Sequence, residues 1–213
     1  ASAEALAKSG TRPAGVYDAI MKTAEHAAPP ETRTPPAVAS TDAVRGAKNA
    51  PVTIQVFADF QCPYCRKIAP IMEALEKEHR GKVRIVWRHR PLDMHKYART
   101  ASSAAIEARR QKGDDGFWKF HDALFEASAS GADGLARPEL EKIAAAQGLD
   151  MKAFDAALDR ADDPAELTAD EKAATDADVR GTPTVFVNDF IVVGAHSNAR
   201  YEKLVRAALA GKK

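Results

Sequence analysis

Cysteine is almost missing from this 213-residue chain, which has two, at positions 62 and 65. Two thiols exclude a multi-disulfide framework. Charge of one sign is missing as well. The 31 Lys+Arg against 30 Asp+Glu leave a formal balance of +1, which makes no case for nucleic acid or an anionic membrane as partner. No apolar run approaches the ~20 residues of a membrane span. The amino end, ASAEALAKSG, lacks the apolar stretch of a signal peptide, so a processed or trimmed chain is expected. What remains, 45% hydrophobic residues, is enough to fill the core of one large domain or of a small domain with an insertion.

Charge is uneven along the chain. Arg80 to Arg99 holds seven basic residues and one acid, Asp93, whereas Asp150 to Asp178 holds ten acids and three bases. Two solvated faces are the simplest reading of this pattern. Residues 1–50 differ in composition from the rest, with prolines at 13, 29, 30, 35 and 36. One amphipathic piece, Val16 to His26, reads as a helix, followed by an extended Pro-rich linker that packs on the main domain or on a partner.

The main domain is expected to begin at Pro51. VTIQVFADF reads as a buried strand, Pro63 to His79 as a helix kinked at Pro70, and KVRIVW as a second strand parallel to the first. From Met94 to Val179 strand signals cease and helical periods recur. Tyr97, Ala101, Ala105 and Ala108 mark one face, and Phe117, Phe120 and Leu124 another. Further helices are expected from Pro138 to Gly148, around Met151 to Leu158, and from Pro164 to Asp178. TVFV, Asn188-Asp189 and FIVV read as a tight hairpin, and Asn198 to Leu209 as a closing helix. The parts are then 1–50 (helix and linker), 51–93 with 180–213 (an α/β domain) and 94–179 (an inserted helical domain).

The stretch FADFQCPYC holds both cysteines where the first strand gives way to the helix. Cys62 falls at the helix start, with Pro63 at the first helical position. There the unpaired N–H groups and the helix dipole favour a thiolate and make Cys62 the exposed nucleophile. Cys65 is the inner, resolving thiol one turn on, roughly 5 Å away between Cα atoms, within reach of a disulfide. Three readings compete. A staple closing four residues would constrain the unfolded chain very little. A structural zinc site takes four ligands, and there is no second cysteine pair or H-x-x-x-H among the six histidines. Redox exchange needs only a nucleophile, a resolving thiol and a helix start.

FADFQCPYCRKIAPIMEAL resembles the active-site strand and helix of the thioredoxin superfamily, and VRGTPTVFVND is similar to its cis-proline loop, with Thr182 before Pro183. The helices between the second and third strands resemble the DsbA-like branch, over about Pro51 to Ala208. The resemblance implies a thioredoxin fold with an inserted helical domain and a thiol–disulfide oxidoreductase whose catalytic residues are Cys62 and Cys65, with Pro63 and Tyr64 as the active-site dipeptide. It implies that Thr182 and Pro183 bind an extended substrate segment by strand addition. It also implies protein or peptide thiols and disulfides as partners, an external redox partner that resets the pair, a periplasmic or other extracytoplasmic location, and no cofactor or metal beyond the cysteines. An oxidase or isomerase role is expected. A reductase like glutaredoxin or thioredoxin, or a peptide-binding module without turnover, is the alternative.

DsbA-type oxidases often place a buried acid six residues before the first cysteine, and Val56 stands there. The nearby Asp59 is read as exposed. Because parallel strands end on one side of a sheet, Arg88, His89 and Arg90 are expected at the active-site rim, where with Asp59 they would modulate the thiol pKa. His95, in a PLDMH stretch similar to the family's PL-x-x-H loop, is read as capping a helix. His121, Trp87 and Trp118 are read as core or boundary residues.

Overall fold

The computed structural model describes residues 30–160 and 163–211. The expected helix from Val16 to His26 lies outside them. The chain divides into units 1–31 and 32–213, and every element below belongs to the second.

The strands are β1 (Val44–Gly46), β2 (Val52–Ala58), β3 (Val83–His89), β4 (Thr184–Val187) and β5 (Phe190–Val193). They form one sheet in the order β1-β3-β2-β4-β5. β2 and β3 run parallel, with Val52 opposite Val83 and Ala58 opposite His89. Helix α1 (Pro63–Glu78) makes the crossover between them. The other neighbours pair antiparallel. The β4–β5 hairpin turns on Asn188, at φ 49, a left-handed conformation that asparagine tolerates better than most residues.

Between β3 and β4 come α2 (Ala98–Ala127), α3 (Arg137–Ala146), α4 (Met151–Leu158) and α5 (Ala165–Asp176); α6 (Asn198–Ala210) closes the chain. Gly113, at φ 67 and ψ −163, breaks α2 into two helices. That break separates the Tyr97–Ala108 face from the Phe117–Leu124 face. Asp150 caps α4 by accepting from the Ala153 N–H at 3.1 Å, a cap that typically stabilises by about 1 kcal/mol.

Strand alternation sorts the core into two layers. Val56, Ala58, Ile85 and Trp87 join the large cluster with Cys65, Ile68, Met72, Phe117 and Tyr201. Phe57 and Phe186 point the other way and pack with Ala174 and Ala177, their rings meeting edge-on at 6.0 Å. Successive side chains on a strand must face opposite sides. The face on which a residue lies is therefore fixed by its parity.

That parity overturns the expected place of Arg88. It lies opposite Phe57 in the register, on the face away from α1, and is 3% exposed. Its guanidinium donates to Asp42 Oδ1 (2.8 Å), Asp170 Oδ1 (3.0 Å), Gln55 Oε1 (3.1 Å) and the Ala37 carbonyl (2.5 Å). It thus clips the segment before β1 and helix α5 onto the sheet. This also corrects the domain boundary at Pro51. β1 lies inside the stretch read as linker, Thr32 bridges Phe190, and Gln55 Nε2 donates to the Pro36 carbonyl at 2.7 Å.

Burial raises Asp170 to about 6 and raises Asp42 as well, against the pull of Arg88. An acid whose folded pKa is raised favours the fold while protonated, and that contribution is lost as pH climbs from about 4 to about 6. Arg88→Ala leaves two buried carboxylates without their cation and is expected to cost about 3–5 kcal/mol at neutral pH. Urea unfolding across pH checks this. The deficit should shrink as pH falls, because protons then neutralise the two acids, which without Arg88 hold their protons more tightly still.

Candidate active site

The turn from β2 into α1 is built around a buried carboxylate. Asp59 is 0% exposed, a correction to its expected exposure. Its Oδ1 accepts from the Gln61 N–H (2.7 Å), and its Oδ2 accepts from the Leu92 N–H (2.8 Å) and lies 2.7 Å from His95 Nδ1. His95 is therefore a strut to the active-site turn. The residue at the N-cap of α2 is Tyr97, whose N–H donates to Gln61 Oε1 at 2.8 Å. The Asx-type bond from Asp59 to Gln61 is the local signal that composition alone could have offered.

Held by this turn, Cys62 occupies the N-cap of α1 in extended backbone (φ −74, ψ 118), with Pro63 following at the helix start. Its carbonyl accepts from the Cys65 and Arg66 N–H groups, both at 3.1 Å. Cys62 is 4% and Cys65 1% exposed, so the exposure expected of Cys62 is not found. The turn and the proline loop bury most of it, while Tyr64 beside it is 62% exposed. Both cysteines are free thiols.

The loop before β4 reaches this point from the other half of the sheet. The Thr182–Pro183 peptide is cis, and the Thr182 carbonyl lies 3.7 Å from Cys62 Sγ. Thr182 Oγ1 is buried with no hydrogen-bond partner in the protein. The donors converging on Cys62 lower its pKa to about 5: first the Cys65 thiol, then, against the cost of burial, the Cys65 N–H, Thr182 and the Tyr64 N–H. Cys65 moves the other way. Burial pushes its thiol well above the ordinary value, and its bond and repulsion with Cys62 add to the rise.

The basic residues at the end of β3 do not lower the Cys62 pKa. Arg88 is on the opposite face. His89 is buried within the core, where its ring takes the Trp87 indole N–H at Nδ1 (3.1 Å) and burial lowers it to about 3. It is therefore neutral. Arg90 continues from the strand, its N–H donating to the Ala58 carbonyl at 2.9 Å, and its Nε is buried without a partner. No arginine appears among the causes that lower the Cys62 pKa. His121 sits in an aromatic cluster with Trp87, Trp118, Phe60 and Phe125. Among the described residues one group, Glu78, His79 and Glu202, brings three metal-type ligand atoms within 4.8 Å. It lies at the far end of α1 from the thiols.

A thioredoxin family model matches residues 38–207. The chain is 40% identical over 148 residues to a protein named Na(+)/H(+) antiporter NhaA 3 of Salinispora tropica, covering 69% of this chain and 22% of that protein. It is 24% identical over 172 residues to disulfide bond formation protein D of Bacillus subtilis, covering 79% and 78%. It spans about a quarter of the length of the antiporter-named relatives (22%, 25% and 27%). Among solved structures it is similar to oxidised BdbD of Bacillus subtilis, with a TM-score of 0.75, 22% identity and coverage of 85% and 100%. It is also similar to a thioredoxin-like oxidoreductase of Silicibacter pomeroyi DSS-3, with a TM-score of 0.69, 26% identity and coverage of 81% and 94%. Because the family match runs through both halves of the sheet and across the helices inserted between them, the chain belongs to the thioredoxin family.

Proposed function

We propose that this chain is a protein thiol–disulfide oxidoreductase that donates its Cys62–Cys65 disulfide to cysteine-bearing polypeptides in an extracytoplasmic compartment. The observation that carries this reading is the geometry of the pair, Cys62 at the N-cap of α1 against the cis Thr182–Pro183 peptide and Cys65 buried one turn on, surroundings that lower Cys62 to about 5 and raise Cys65. A stabilised thiolate stabilises the reduced pair and makes the disulfide more oxidising. Relative to the thiol of thioredoxin, at about 7, two units are about 2.7 kcal/mol, or about 60 mV.

In the cycle a substrate thiolate attacks Cys62 Sγ and Cys65 leaves, giving a mixed disulfide. A second substrate thiol then attacks the substrate's sulfur and expels Cys62 as a thiolate. The two sulfurs carry both electrons, so no dissociable cofactor is called for, and an external redox partner resets the pair. Thr182 and Pro183, against Cys62, offer backbone to an extended substrate segment, with Tyr64 exposed beside them. Donation of disulfides belongs to oxidising compartments, and the name of the Bacillus subtilis relative supports that setting. The antiporter-named relatives hold a matching unit within a much longer chain, which supports a unit able to act while joined to a larger protein. No helix among the described residues is long and apolar enough to cross a membrane.

Two predictions test the reading. Thiolate absorbance of the reduced protein should titrate with a midpoint near 5 for Cys62, and glutathione equilibration should give a potential above that of thioredoxin, about −270 mV. A potential at or below that value would make the chain a reductase. A lowered folded pKa contributes stability at high pH that is lost as pH falls through it. The reduced protein should therefore gain about 2–3 kcal/mol over Cys62→Ala between pH ~5 and ~7 in urea unfolding. Secondly, Cys65→Ala should accumulate mixed disulfides with substrate proteins on non-reducing gels, and Cys62→Ala should trap almost none. Equal trapping by both variants would reverse the roles.

A further inference from the structure

Behind the thiol pair, between α1 and the sheet, lies a cavity of about 20 Å³, room for one water molecule. Apolar side chains of β2, β3 and α1 make most of its wall. Its polar groups are Cys65, Trp118, His121, Arg45 and Glu73. The Trp118 indole N–H is buried with no acceptor in the protein, and a buried donor of this kind is ordinarily satisfied by protein or internal water. Arg45 lies 4.5 Å over the Trp118 ring and pairs with Asp122 at 3.0 Å and Glu73 at 3.9 Å.

The proposed cycle gives this space a use. When Cys65 closes the disulfide it must shed a proton, and burial makes that thiol hold its proton tightly. Cys62 cannot take the proton, because in the mixed disulfide its sulfur is already bonded. Asp59 is committed to the Gln61 and Leu92 N–H groups and to His95. On the cavity wall Arg45 and Trp118 have no site to accept a proton. Glu73 stands at the more exposed end, paired with Lys77 at 2.6 Å. His121 is buried, and its Nδ1 lies 2.7 Å from Asp122 Oδ1. A carboxylate there accepts a hydrogen bond from Nδ1–H, which keeps the proton on Nδ1 and leaves the lone pair on Nε2. The charged and titratable groups facing His121 are Asp122, Arg45, Glu73 and the neutral His89. Burial outweighs them and lowers its pKa, so the ring is unprotonated and able to accept near neutral pH.

We propose that His121 is the proton relay for Cys65, reached through one internal water held between Cys65, the Trp118 N–H and His121 Nε2, with Asp122 as the positioning residue that fixes the tautomer. The proposal rests on the thiol–disulfide reading above. In the closing step the Cys65 S–H bond breaks and its proton passes through the water to Nε2. The sulfur's electron pair forms the bond to Cys62 Sγ, and the sulfur of the external thiol–disulfide oxidant joined to Cys62 leaves with the pair of the broken mixed disulfide. In the opening step the imidazolium returns the proton as a substrate thiolate displaces Cys65.

Stopped-flow reaction of the reduced full chain with one equivalent of dithiobis(nitrobenzoate) separates the two thiols, since attack by Cys62 releases a first coloured thiolate and closure by Cys65 a second. His121→Gln should slow the second phase by at least about tenfold and leave the first intact. Its logarithmic rate should climb about one unit per pH unit as hydroxide takes over, whereas the wild-type profile is flatter. Asp122→Asn, at a half-exposed position (54%) that spares the core, should slow the same phase less, and Glu73→Gln should leave it unchanged. The relay is overturned if the second phase of His121→Gln keeps its rate and pH slope, if Asp122→Asn has no effect, or if Glu73→Gln alone reproduces the loss. Absence of the first phase in the wild type would instead overturn the thiol–disulfide reading, and the relay with it.

Discussion

The redox pair depends on one buried carboxylate. Asp59 ties the end of β2 to the Gln61 N–H, to the Leu92 N–H and to His95, and hydrogen bonds to a charged group are worth about 1.5–3 kcal/mol each. The next residue, Phe60, is stacked on Trp87 at 4.7 Å between centroids. The turn is therefore fixed from both sides, by polar bonds at Asp59 and aromatic packing at Phe60. Cys62 must follow at the N-cap of α1, and its sulfur lands against the Thr182–Pro183 loop.

The sheet separates two kinds of electrostatics. On one face Arg88 balances Asp42 and Asp170 and holds the segment before β1 and helix α5 in place. On the other, the Cys62 thiolate is held by a thiol, two N–H groups and a threonine rather than by any formal cation. Fixed dipoles within a few ångströms of a buried sulfur are screened far less by salt than charges at a surface would be. The basic run from Arg80 to Arg99 is for the same reason more a device of the fold than of the chemistry.

How much of this was legible in the sequence follows from which signals are local. The strands β2 to β5, the hairpin at Asn188, the crossover helix and the helices inserted after β3 all leave periodic or turn signals, and the structure has these elements. β1 does not, because three residues, VRG, are too short for alternation to register, and its pairing is with a distant strand. The place of Arg88 is not legible from strand order, which fixes which edge a residue reaches, whereas only parity fixes its face. The burial of Asp59 leaves no local signal, since its partners Leu92 and His95 lie 33 and 36 residues away. A still longer separation hides the near-complete burial of Cys62, against which lies the loop 120 residues on.

The pKa split also bears on the direction of exchange. In the mixed disulfide at Cys62 two thiols compete. Attack by the substrate's second thiol expels Cys62, a low-pKa sulfur and hence a fast leaving group. Attack by Cys65 expels the substrate's sulfur, a slower leaving group with an ordinary pKa of about 8.5, and first requires a buried thiol to ionise. Both factors favour release of an oxidised substrate over re-closure of the pair. Val56 lines the same cavity as Cys65, where a buried acid could assist that ionisation, and it offers only an apolar wall. In the proposed cycle the burial of Cys65 thus favours donation of the disulfide, and the proposed relay at His121 serves the step in which an external oxidant closes the pair again.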